Sequence, residues 1–69
     1  MTRERIEAAL RSGAPFTLQM ADGREYPVPH HDHISLPPRG SYVIVYDDTG
    51  NFNVLHLLTM TGLQAKVAE

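Results

Sequence analysis

Two runs of alternating apolar and polar residues, each ending in an Asp/Gly turn, constrain this chain more than any other feature. Phe16-Thr17-Leu18-Gln19-Met20 puts Phe16, Leu18 and Met20 on one face and Thr17 and Gln19 on the other. Asp22-Gly23 then reverses the chain into Arg24-Glu25-Tyr26-Pro27-Val28. Tyr42-Val43-Ile44-Val45-Tyr46 leads into Asp47-Asp48-Thr49-Gly50, and Phe52-Asn53-Val54-Leu55 returns. Period-two patterning around such a turn is the sequence signature of a β-hairpin. Asp22 and Gly23 both tolerate positive φ, which predicts a two-residue type I′ turn. Asp47 to Gly50 predicts a four-residue hairpin loop.

The segments outside the hairpins are short. Thr2 is placed to cap a helix over about 3–12, with Glu4 in its first turn and Arg11 near its end, both favourable to the helix dipole. Ile6, Ala9 and Leu10 form one narrow apolar stripe. Gly13 suits the left-handed position after the last turn, and Pro15 prevents continuation. Such a helix is too short to persist alone in water, so it must lie on the sheet or on another subunit. Pro27 and Pro29 lack an N–H, so the second strand is expected to lie at an edge or to leave the ladder there. Ile34-Ser35-Leu36 reads as a short strand and Pro37-Pro38-Arg39-Gly40 as a turn. Tyr42 to Tyr46 is apolar on both faces, which predicts a central strand or one covered on both sides. Leu58 to Gly62 reads as a turn or 3₁₀ segment, and Leu63 to Val67 as a closing strand.

These elements predict a mostly β fold in a single domain over 1–69, with strands between about 16 and 67. The N-terminal α-helix is followed by a small, strongly bent, five-stranded antiparallel barrel. The alternative is an open antiparallel sheet with the helix packed across it. Closure would remove the exposed edges that invite aggregation. With 69 residues the core is small, and domains of this size often gain stability from disulfides, metals or a partner subunit. Cysteine is absent, which excludes disulfides and thiolate metal cages. Self-association or a His/carboxylate site is what remains, and the expected partner is a second copy of the chain.

Charge limits the other partners. The net charge is −2 and the basic residues are scattered, with Arg3, Arg5 and Arg11 near the N-terminus. A nucleic-acid binder usually carries a basic stripe, so nucleic acid is disfavoured. No leader or apolar run is apparent, and no stretch approaches the roughly 18 apolar residues of a membrane span. The expectation is a cytoplasmic protein with no membrane partner.

His30-His31-Asp32-His33 is the one concentrated group of ionisable side chains, and imidazole with carboxylate suits a divalent transition ion. Read as extended chain, His31 and His33 share one face and His30 and Asp32 the other. At most two then converge, and His56 would have to complete the set from elsewhere. The plainer reading is a polar turn in which Asp32 bonds local amides. Asp32 with a histidine and Ser35 or Ser41 has the makings of a catalytic triad, but the chain offers little room for a water-excluding pocket, and no enzyme is expected. His56, among Leu55, Leu57 and Leu58, reads as a half-buried structural histidine. The Asp/Gly turns lack the spaced oxygen ligands of an EF-hand. Tyr26, Tyr42, Tyr46 and Phe52 are of the type that stacks on bases, but without basic neighbours they are assigned to the core. No cofactor is expected.

Ala21-Asp22-Gly23-Arg24, Val28-Pro29-His30, Asp32, Ile34, Tyr42-Val43-Ile44-Val45 and the Leu55 to Leu58 run resemble a family of short uncharacterised bacterial proteins. The order of elements, a helix and then five strands, is similar to the Sm-like barrel. That resemblance implies ring formation through edge strands, the fourth strand of one subunit pairing with the fifth of the next. RNA binding is implied only where the Sm pocket residues are present. The Asp-x-x-x-Asn arrangement is absent, with His30 to Ile34 in that region. Arg39-Gly40 precedes the Tyr42 strand instead of lying between the fourth and fifth strands. The resemblance therefore lends a fold and an oligomer, and no binding residues. The functional expectation is a small self-associating interaction module, with Sm-like RNA binding and His-based metal binding as alternatives.

Overall fold

A computed structural model describes residues 1–65. Helix α1 (Arg3–Ser12) has the ends expected of it. The Thr2 hydroxyl accepts from the Arg5 N–H, and Gly13, at φ 75°, donates its N–H to the Leu10 carbonyl. Arg3 and Glu7 pair one turn apart at 2.8 Å. Ile6 is fully buried, and Ala9 and Leu10 pack beside it against the core.

Six strands follow: β1 (Phe16–Met20), β2 (Glu25–Val28), β3 (Ile34–Ser35), β4 (Tyr42–Tyr46), β5 (Phe52–His56) and β6 (Met60–Ala65). They form two three-stranded antiparallel sheets, β2-β1-β6 and β3-β4-β5. The described residues show no closed barrel, and the open antiparallel alternative with one packed helix fits, divided into two sheets. The division has a local cause. Pro27 and Pro29 weaken the ladder of β2, and the chain then coils into a 3₁₀ turn over His31–His33 before β3 begins. A second 3₁₀ turn, Leu57–Thr59, separates β5 from β6, so β6 begins at Met60, earlier than expected. Residues 66 and 67 of the expected closing strand lie outside the described residues.

The inward faces of the two sheets meet over Phe16, Leu18, Val28, Ile34, Val43, Val45, Leu55 and Met60, and Ile6 of α1 completes this core. Apolar side chains inside are set by register: Phe16 lies opposite Val28 and Leu18 opposite Tyr26, so one face of the hairpin turns inward. β2 is an edge strand, as suits Pro27 within it.

Both hairpin turns differ from expectation in the same way. Met20 and Arg24 close the first, with Gly23 donating its N–H to the Met20 carbonyl. Asp47 and Asn51 close the second, with Gly50 donating to the Asp47 carbonyl. Only the glycines have positive φ, 89° at Gly23 and 90° at Gly50. These are three-residue loops, a type I turn followed by a left-handed glycine, and not a type I′ turn or a four-residue loop.

Candidate interaction surface

The register of β4 on β5 pairs Tyr42 with His56, Ile44 with Val54 and Tyr46 with Phe52. Directly opposed residues of an antiparallel pair share a face. This face is the outer one, because Val43, Val45 and Leu55 take the inner one. β4 is therefore central in its sheet but covered on one side only. Phe52 is 62% exposed, Val54 48% and Tyr46 38%, and Leu58, just past β5, is 91% exposed. No Asp, Glu, Lys or Arg lies on the β4–β5 outer face.

Two expectations fail here. Tyr26 packs half-buried against the core as expected, but Tyr42 is half-buried without joining it and Tyr46 and Phe52 are exposed, so Phe16 is the one fully buried aromatic of the core among the described residues. His56 is exposed beside Tyr42, not half-buried. The signal that marks this surface was present in the sequence: Phe52, Val54 and the outer residues of β4 are apolar although a second apolar face already fills the interior. Alternation alone does not say which of two apolar faces is covered.

β5 is also an outer strand of its sheet, and it contains neither charge nor proline. Proteins usually protect free edges with such residues. β2 has Glu25 and Pro27, and β3 is only two residues long.

The histidine segment is arranged differently from an extended ligand strand. The His33 N–H donates to the His30 carbonyl at 3.0 Å to close the 3₁₀ turn, and among the described residues no amide donates to the Asp32 carboxylate. His30, His31 and Asp32 are exposed. The His30 and His33 rings lie 5.7 Å apart, tilted by 40°. Among the described residues, no group of three or more His, Asp or Glu side chains converges as a metal set would. His33 instead reaches Asp48 in the β4–β5 loop, Nε2 to Oδ1 at 3.1 Å, and its Nδ1 is buried with no hydrogen-bond partner among the described residues. Sequence reading did not join His33 to Asp48, which lies 15 positions away.

Beside this pair is a cleft of about 110 Å³ between the sheets, walled by Tyr26, Pro27, Val45, Tyr46 and Asn53 and bounded by His33 and Asp48. Asp47 at its rim is occupied by its own loop. Its carboxylate accepts from the Thr49 hydroxyl at 2.7 Å and from the Thr49 and Asn51 amides at 2.9 Å. The Thr49 hydroxyl leads in holding this carboxyl below its ordinary value, and the loop amides add to it. Arg24 has its guanidinium pKa raised, first by a hydrogen bond with Tyr26 and further by the charges of Tyr26 and Asp22.

The chain matches no protein-family model, no curated protein and no solved structure. Among the described residues no helix is long and apolar enough to cross a membrane.

Proposed function

We propose that this chain is a small interaction module that self-associates through the outer face of β4 and β5. One observation carries the reading: Tyr46, Phe52 and Val54 lie exposed together on a face without a charged side chain. An uncharged apolar strip running along a free edge strand that lacks the usual protecting charge or proline is the kind of surface a partner chain covers. The module binds and does not catalyse. Tyr42, Tyr46 and Phe52 have the shape to stack on bases, but none of the strand residues beside them is a Lys or Arg that would hold phosphate.

The finer reading of the fold is a strongly bent Sm-like barrel. In its support, β2 and β3 are joined by little more than a single 3₁₀ turn, and β6 returns to pair with β1. On that reading β2 and β3 are halves of one bent strand, and β5 and β6 are the remaining edges.

The test is the solution mass of the full chain by sedimentation equilibrium from micromolar to millimolar concentration. The expected mass exceeds one chain and falls to one chain in Val54→Asp, with an unchanged circular-dichroism spectrum. A wild-type mass of one chain throughout the range refutes self-association.

A further inference from the structure

We propose that the outer face receives a second copy of this chain across a two-fold axis running across the strands, with Arg39 of each copy seated against the Asp48 end of the other. This rests on the self-association reading above and specifies its geometry.

β4 has a basic end and an acidic end. Beyond Tyr42 lies the exposed Arg39, which supplies the positive charge of this end, since Arg3, donating to the Pro37 carbonyl of the same loop, is itself paired with Glu7. Beyond Tyr46 lie Asp47 and Asp48, with Asp32 on the adjoining 3₁₀ turn. A two-fold axis near Ile44 and Val54 that reverses the strands lays the acidic end of one copy over the basic end of the other, twice, in a contact that closes on itself. Turning the axis along the strands would set like charge on like. Complementarity of potential therefore selects the antiparallel arrangement.

Arg39 is fitted for the role. No acidic residue lies within six positions of it in sequence. Pro37 and Pro38 restrict the loop, so presenting the side chain costs little ordering entropy. Gly40, at φ 108°, brings its Cα so close to Tyr42 that a Cβ would sit 2.8 Å from the ring Cε1. The Arg39 turn is thereby seated on the end of the outer face itself.

The receiving end is equally specific. Tyr46, the last residue of β4 and part of the outer face, stands two positions before Asp48. A guanidinium stacks on tyrosine rings and pairs with carboxylates. Asp47 is engaged by its own loop; Asp48, whose Oδ1 meets His33 at 3.1 Å, keeps its side chain 91% exposed.

Size requires the ends as well. Two five-residue strands offer a flat outer footprint about 17 Å by 10 Å, roughly 170 Å². A standard stable interface takes about 800 Å² from each partner. The apolar strip alone falls well short, and the two loops at its ends are what enlarge the contact.

The test is sedimentation of the full chain and three variants across the same concentration range. Arg39→Glu and Asp48→Arg are each expected to raise the dimer dissociation constant at least about tenfold, and the double variant to return it to within about threefold of wild type. Circular dichroism checks that each variant folds. Should Asp48→Arg fail to fold for want of the His33 contact, Asp48→Asn replaces it, with association expected to lose most of its salt dependence. Single variants that dimerise like wild type overturn the proposal, as does a double variant as weak as the singles. A mass of three or more chains overturns the two-fold geometry while leaving self-association standing. A wild-type monomer removes both.

Discussion

Ile6→Ala isolates what holds α1 to the sheets. Ile6 is fully buried, whereas Leu58, with a side chain of the same four carbons, is 91% exposed. Truncating either to alanine removes three carbons. At Ile6 the lost transfer free energy is about 2.4 kcal/mol at ~0.8 kcal/mol per methylene. The unfilled space adds about 1 kcal/mol more, because the rigid sheets behind it collapse only partly. Total stability for a chain of 69 residues is on the order of 3–10 kcal/mol. Ile6→Ala therefore removes about a third of the stability or more, and Leu58→Ala changes it by less than about 0.5 kcal/mol. Urea unfolding followed by circular dichroism, with tyrosine fluorescence as a second probe, measures both. Equal losses in the two variants would refute the placement of α1 over the core. So would an Ile6→Ala loss below about 1 kcal/mol.

The glycine turns give a second comparison. Gly23→Ala meets no neighbouring atom but must hold φ near 89°, for an expected cost of about 1 kcal/mol; Gly40→Ala adds a collision with the Tyr42 ring to the same strain and should cost more in urea midpoint. Similar midpoints would show that the Arg39 turn does not press on Tyr42. For pH, the Asp47 carboxyl lies below its ordinary value of 3.8 in the folded chain. Its contribution is complete above that ordinary value and is lost as the pH falls through the lower folded one. Asp47→Asn should thus flatten the decline of stability with acid below about pH 4. Parallel profiles for variant and wild type would contradict the loop hydrogen bonds.

Local features were legible in the sequence because local atoms determine them. Thr2 and Gly13 bound α1 through contacts within its own turns, and the alternation in β1 names the residues that reach the core. The turn type was not legible. Asp22-Gly23 suits a two-residue turn as well as a three-residue one, and the choice lies in whether Met20 or Ala21 closes the ladder. The covered side of β4 was hidden for a related reason: both its faces are apolar, and only the position of the other sheet decides between them. The histidine cluster misled because neighbours in sequence need not converge. The 3₁₀ turn spreads His30, His31 and Asp32 into solvent and commits His33 to a loop 15 positions on. The exposed patch follows from the same topology, since Tyr46 and Phe52 become neighbours only when the second hairpin closes.

The pairing of β1 with β6 bears on how quickly this chain reaches its folded form. Thr61 meets Gln19 across 42 positions, whereas Met20 and Arg24 close a hairpin across only a few. Chain closure over that longer span costs about 2 kcal/mol more in entropy. Both hairpins can therefore assemble early, each at little entropic expense, while the final strand docks last and sets the refolding rate. Truncations in β6, such as Leu63→Ala, would then slow refolding as well as hasten unfolding.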